Sequence, residues 1–178
     1  MMQKYVALLR GINVGGQKLI KMEALRKALQ RLPIKNVSTY IQSGNIIFES
    51  ENRNIEQLQQ QISELIKSEF GFDVKVVVVT SADLQKIIEN NPFIDRKIDD
   101  PAQPYVSILS ETPSATALQS LRKTDFGKDE WVSHERWLYI LYESAGQTKL
   151  SNSAIEKILE VSATSRNWKT IGKLFEML

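Results

Sequence analysis

The chain contains no cysteine and a single histidine, His134. Disulfides and thiolate metal sites are thereby excluded, and so is any site built from several histidines. Long apolar runs are also missing. None approaches the ~20 residues needed to span a bilayer, and the run that follows Met1 is too short for the hydrophobic region of a usual secretory signal. The expectation is a soluble, cytoplasmic protein with no membrane partner. Acids are scarce at one end of the chain. Residues 1–35 hold eight Lys/Arg and only Glu23 as an acid, a net +7. Residues 36–80 carry −3 and residues 81–178 carry −2, giving +2 overall. A basic leading segment suits an anionic partner, although Arg26, Lys27 and Arg31 are equally explained as a solvated helix face.

What is present is ordinary in bulk. At 178 residues the chain can bury a sizeable core as one domain or two small ones. Its organisation lies in the order of its patterns. Lys4 to Leu9 reads as a strand. Met22, Leu25, Leu29 and Leu32 recur at helical spacing, and Pro33 closes that helix. Val37 to Ile41 and Asn45 to Phe48 read as strands joined by a tight Gln42-Ser43-Gly44 turn. Asn54 and Gln57 make a capping-box pattern before a helix that bears Leu58, Ile62, Leu65 and Ile66 and ends at Gly71. Val74 to Val79 reads as a buried strand.

A helix from Ser81 to Asn90 follows, then a polar linker from Phe93 to Pro104 that includes Asp99 and Asp100. The pattern then begins again. Tyr105 to Leu109 reads as a strand, and Thr112-Pro113 as the cap and first position of a helix with Leu118 and Leu121 inward. Glu130 to Ser133 and Trp137 to Tyr142 read as a hairpin turning near His134-Glu135. Ser151 caps a helix with Ile155, Ile158 and Leu159. Val161 to Thr164 reads as a last short strand, and Trp168, Ile171, Phe175 and Leu178 as the apolar face of a terminal helix. The expected fold is α+β, with two ferredoxin-like (βαββαβ) subdomains in pseudo-duplicated order, a connecting helix and a C-terminal helix. The expected boundaries are 1–80, 81–104 and 105–178.

Three segments carry candidate chemistry. In Arg10-Gly11-Ile12-Asn13-Val14-Gly15-Gly16-Gln17-Lys18, three of the chain's eight glycines fall within six positions. No acid occurs between Met1 and Met22. A donor-rich, basic, glycine-rich loop entering a helix suits an anion. The alternative is turn chemistry alone. A Walker A loop is not matched, because Lys18 comes one place late and Leu19 stands where a hydroxyl is needed. The Rossmann fingerprint is absent as well.

Thr164-Ser165-Arg166-Asn167-Trp168-Lys169-Thr170 is the second segment. Thr164 or Ser165 is the expected cap of the terminal helix, which would place Arg166, Lys169 and Lys173 in its first turns. Cations there oppose the helix dipole, so an anion or carboxylate nearby would offset the cost. Gln42-Ser43-Gly44-Asn45, the third, is a polar turn that gains a functional reading only beside the first loop. His134 reads as a surface turn residue. Trp131, Trp137, Tyr139 and Tyr142 read as core rather than an RNA-stacking platform.

Leu8-Leu9-Arg10-Gly11-Ile12-Asn13-Val14-Gly15-Gly16, Ser43-Gly44-Asn45 and Thr164-Ser165-Arg166-Asn167-Trp168-Lys169-Thr170 together resemble the bacterial domain-of-unknown-function family 1697. The resemblance runs over essentially the whole length, and Lys149-Leu150-Ser151-Asn152 and Glu156-Lys157 add to it. It implies a two-part α+β fold. It implies no activity, because that family has no assigned function and so offers no catalytic residue to carry over.

The leading expectation is a small anionic ligand, a phosphorylated metabolite or nucleotide, bound between the two halves. Its candidate residues are Arg10, Asn13, Gly15, Gly16, Lys18, Ser43, Asn45, Arg166, Asn167 and Lys169. One rival is nucleic-acid binding through the basic segment from Lys4 to Lys35, and another is a non-enzymatic interaction or structural protein. No nucleophile–base pair and no metal-ligand set points to a catalytic residue, a cofactor or a metal.

Overall fold

The computed structural model describes residues 1–95, 104–144 and 147–178. They divide into two units, Met1–Gln85 with Lys173–Leu178, and Lys86–Gly172. Most of the expected linker, with Asp99 and Asp100, lies outside the described residues. Each unit is built on a four-stranded antiparallel sheet with the ferredoxin-like βαββαβ order.

In the first unit, β1 (Gln3–Leu9), α1 (Met22–Leu29), β2 (Lys35–Tyr40), β3 (Asn45–Ser50), α2 (Ile55–Phe70) and β4 (Val76–Thr80) give the sheet order β2-β3-β1-β4. β1 is central, which explains its unbroken apolar run. Tyr5, Ala7 and Leu9 enter the core under the helices, and Val6 and Leu8 are buried on the opposite face. Leu25 and Leu29 of α1 and Leu58, Ile62 and Ile66 of α2 complete that core. α1 stops at Leu29 rather than Leu32. Arg31 N–H and Leu32 N–H donate to Ala28 and Leu29 carbonyls, a tighter turn that ends the helix ahead of Pro33.

Asn54 caps α2 by accepting from Gln57 N–H at 3.0 Å, but the box does not close as expected. Gln57 Oε1 accepts from Asn52 Nδ2 instead. The reciprocal box forms at the start of α3 (Ser81–Glu89), where Thr80 Oγ1 accepts from Asp83 N–H and Asp83 Oδ2 accepts from Thr80 N–H. Gly71 ends α2 at φ 75°.

The second unit repeats the plan with β5 (Pro104–Leu109), α4 (Ala115–Lys123), β6 (Glu130–His134), β7 (Trp137–Leu141), α5 (Asn152–Leu159) and β8 (Ala163–Asn167), in the sheet order β6-β7-β5-β8. Leu109, Leu138, Ile140 and Tyr142 meet Leu121 of α4 and Ile155 and Leu159 of α5. Trp131 packs against this core, and Trp137 and Tyr139 are buried on the other face of the sheet. Two boundaries differ from expectation. Ser114, not Thr112, caps α4, its Oγ accepting from Ala117 N–H at 3.1 Å. The last strand also runs on through Asn167, because Ser165, Arg166 and Asn167 register with Ser107, Val106 and Tyr105 of β5. α6 (Trp168–Glu176) follows directly; Ile171 and Leu174 form its buried face, whereas Phe175 is 39% exposed.

Candidate functional site

The glycine-rich segment is a miniature hairpin between β1 and α1. Gly15 and Gly16 hold φ of 57° and 74°, the requirement of a type I′ turn. Gln17 N–H donates to Val14 carbonyl at 3.0 Å, and Asn13 N–H to Lys18 carbonyl at 3.2 Å. A Cβ on Gly11, Gly15 or Gly16 would meet open space, so those glycines serve conformation and not close packing.

The base of the hairpin is locked by Asn13. Its Oδ1 accepts from Ile20 N–H at 2.8 Å, and its Nδ2 donates to Ile20 and Gln42 carbonyls at 3.0 and 2.7 Å. The carboxamide therefore spends both donor hydrogens inside the protein and ties the hairpin to the β2–β3 turn. Gly44 is the second tie. It stands at φ 79°, its carbonyl accepts from Leu9 N–H, and a Cβ there would lie 2.7 Å from both Leu9 Cβ and Ile12 Cδ1. The segments expected to gain meaning by adjacency are therefore adjacent. Asn45 is fully buried and donates from Nδ2 to Tyr40 carbonyl and to Ser43 Oγ. Its role is to shape the turn.

The charged residues have anchors as well. Arg10 N–H donates to Lys75 carbonyl at 3.0 Å, and Lys18 Nζ to Asp73 carbonyl at 2.6 Å. The Asp73 carboxyl is held below its ordinary range by Lys67 hydrogen-bonded to it, with a smaller pull from Lys18. What the hairpin turns outward is its tip. Val14 is 64% and Leu19 66% exposed, and Ile41 of the neighbouring turn is 48% exposed. Ile41 also adopts φ 50°, an unfavourable region for a β-branched side chain. Sequence reasoning missed these three residues. The only available signal was an apolar side chain within an otherwise polar turn.

In the second unit Arg166 corrects an expectation. It is a strand residue, 8% exposed, and not part of a helix turn, so the helix dipole does not act on it as supposed. It shares a sheet face with Val106 and Tyr139, and its Nη1 donates to Thr164 Oγ1 and Ser165 carbonyl at 3.0 and 2.9 Å. Burial pushes the guanidinium down to about 10, so it remains charged at neutral pH. The cap of α6 is Asn167, whose Oδ1 accepts from Thr170 N–H at 2.8 Å, in place of Thr164 or Ser165. Lys169 is exposed in the first turn of α6. His134 ends β6 half-buried.

Among the described residues, no three His, Asp or Glu side chains gather as metal ligands, and no helix is long and apolar enough to cross a membrane.

Comparison with solved structures finds the fold whole. The conserved bacterial protein SP0830 from Streptococcus pneumoniae matches with a TM-score of 0.74 and 24% identity, covering 99% of each chain. An unknown protein from Galdieria sulphuraria aligns at 12% identity over 94% of this chain and 99% of its own, with a TM-score of only 0.27. No curated protein matches. The family model described as protein of unknown function (DUF1697) matches residues 2–139, a span that includes the glycine hairpin and the β2–β3 turn. The chain belongs to that family.

Proposed function

We propose that the glycine hairpin of the first unit binds a small anionic ligand, a phosphorylated metabolite or nucleotide. One observation carries this reading. Gly15 and Gly16 form the exposed tip of a type I′ turn, and among the described residues their N–H groups make no hydrogen bond. Outward N–H donors beside cationic side chains are the usual means of holding a phosphate. Arg10 and Lys18 flank the turn, and Lys21 stands exposed at the entry to α1. In this reading Asn13, Ser43, Gly44 and Asn45 hold the tip in place, and the ligand meets the two glycine N–H groups and the cations.

The test is a thermal-shift screen with inorganic phosphate, pyrophosphate, nucleotides and phosphosugars on wild type, Arg10→Ala and Lys18→Ala. A compound that binds only the folded chain raises its melting temperature. Support is a shift in wild type that both variants lose. No shift with any of these compounds on a folded chain removes the reading.

A second reading is favoured by the exposed Val14 and Leu19 of the glycine-rich connection and Ile41 of the neighbouring turn. Exposed apolar side chains suit a macromolecular partner better than a lone phosphate. If that partner is a nucleic acid, binding weakens steeply with added salt. If it is a protein, alanine at Val14 and Leu19 weakens binding more than alanine at Arg10.

A further inference from the structure

We infer that β6 is a self-pairing edge, through which two copies of this chain join their second-unit sheets across a two-fold axis at Val132. Among the described residues β6 has a strand neighbour on one side only, β7. The hairpin closes at the His134–Trp137 pair around the two-residue turn Glu135-Arg136. Antiparallel ladders alternate, so Glu130, Val132 and His134 direct their backbone groups toward β7 while Trp131 and Ser133 direct theirs outward. β6 pairs with β7 without a break in register, and Val132 is 42% exposed at its middle.

The segment Glu130-Trp131-Val132-Ser133-His134 is complementary to its own reverse. Centring an antiparallel copy on Val132 places Val132 opposite Val132 as a non-hydrogen-bonded pair. Trp131 then exchanges both backbone hydrogen bonds with Ser133 of the second copy, and Ser133 with its Trp131. Glu130 of each copy stands opposite His134 of the other, a carboxylate beside an imidazole at both ends.

The side chains fit the same register. Trp131 and Ser133 share the core-side face of the sheet, opposite Ile140 and Leu138. Beside them a cleft of about 380 Å³ is lined by Arg122, Trp131, Val132 and Ser133. In the paired arrangement the second copy's Trp131 lies over Ser133 and enters this cleft next to the Arg122 guanidinium, a favourable cation–π placement. A heterologous strand could use the same backbone groups, but the self-complementary order of the strand and the reciprocal Trp131 site single out a second copy. The contact is isologous and closes at two, so it builds a dimer and no filament.

The absence of cysteine makes the test clean. Val132→Cys puts one thiol on the proposed axis, where a non-hydrogen-bonded pair brings Cα atoms within disulfide range. Mild oxidation of the full chain is expected to give a covalent dimer, whereas Gln119→Cys on exposed α4 gives none under the same conditions. Sedimentation of the untreated wild type is expected to show a dimer. Val132→Lys is expected to weaken it by more than about tenfold through like charges on the axis. Ser133→Pro removes an outward N–H without touching the β7 ladder, so it should dissociate the dimer while circular dichroism stays unchanged. A wild type that is monomeric at high concentration overturns the inference. So does a dimer that persists in both Val132→Lys and Ser133→Pro, or a Val132→Cys chain that cross-links no faster than Gln119→Cys.

Discussion

The two units use the same strand order and the same alternation of helix and strand, yet they differ at two matching places. Between its first strand and first helix, the first unit inserts the whole hairpin from Arg10 to Lys21, while the second unit makes the same connection with Ser110 to Ser114. The edge strands differ too. β2 carries a register shift between Lys35 and Ser38, with Asn36 at φ 52°, whereas β6 runs in unbroken register. A bulge is a common way to make an edge unfit for pairing.

The second unit therefore shows what the scaffold requires, and the first shows what has been added. The addition is not free. Lys18 and Ile41 hold positive φ without being glycine, at a cost of roughly 1–2 kcal/mol each. The second unit carries positive φ at non-glycine residues as well, at Glu135 and Glu160, but not in the connection between its first strand and first helix.

The comparison can be broken most strongly at Gly44. Gly44→Ala forces both a positive φ and a 2.7 Å approach to Leu9 and Ile12, and roughly 3 kcal/mol of destabilisation is expected in chemical unfolding. Gly15→Ala, at a similar φ in open space, should cost only about 1 kcal/mol. Equal losses would mean that the hairpin and the β2–β3 turn do not pack as described.

Tryptophan fluorescence reports the alkaline unfolding of the second unit, since Trp131, Trp137 and Trp168 all lie within it. Burial pushes the Tyr142 hydroxyl up to about 12 and raises Tyr139 further. An acid whose folded pKa is raised leaves stability intact below its unfolded value near 10 and loses it as pH rises through the folded value. Stability should therefore fall between pH 10 and 12, by on the order of 2 kcal/mol from Tyr142. Tyr142→Phe should flatten that fall; an unchanged slope would show that Tyr142 does not stay protonated by burial.

Asn13→Ala tests whether the hairpin is a rigid addition. It leaves Ile20 N–H without its acceptor, at an expected cost of about 2 kcal/mol. Amide exchange should accelerate at Ile20 and Gln17 while the β5–β7 ladder keeps its protection. Uniform acceleration across both sheets would deny the hairpin any independence. A small effect, matching that of Gly15→Ala, belongs to Asn167→Ala, the loss of one helix cap, about 1 kcal/mol. A neutral result there would move the cap of α6 elsewhere.

The periods of the sequence made the fold legible. Apolar spacing in α1, α2 and α5 and the β-branched run of β4 each led to an observed element, and the repeated order led to the two βαββαβ units. The neighbourhood of the hairpin and Gln42-Ser43-Gly44-Asn45 was foreseen only as a condition, because it arises from long-range contacts through Asn13 and Gly44. Gly15-Gly16 is itself a hairpin signal, but the flanking segments are too short to read as strands, so the sequence shows only a glycine-rich loop or turn there. Arg166 was misplaced for a different reason. Nothing in a sequence marks a cation that lies on the buried face of a strand, since burial there depends on strands distant in the chain. The positive φ of Ile41 is likewise tertiary, for its residue type argues against it.

The most direct measurement is a ¹⁵N-resolved NMR titration of the full chain with inorganic phosphate and then pyrophosphate, following the amide resonances of Gly15 and Gly16. If the hairpin tip is an anion site, these two amides and that of Lys18 shift saturably, the β5–β7 amides do not, and Lys18→Ala abolishes the response. Gly15 and Gly16 amides that stay unmoved in a folded chain at saturating pyrophosphate would contradict the assignment and leave the exposed Val14, Leu19 and Ile41 to a macromolecular partner.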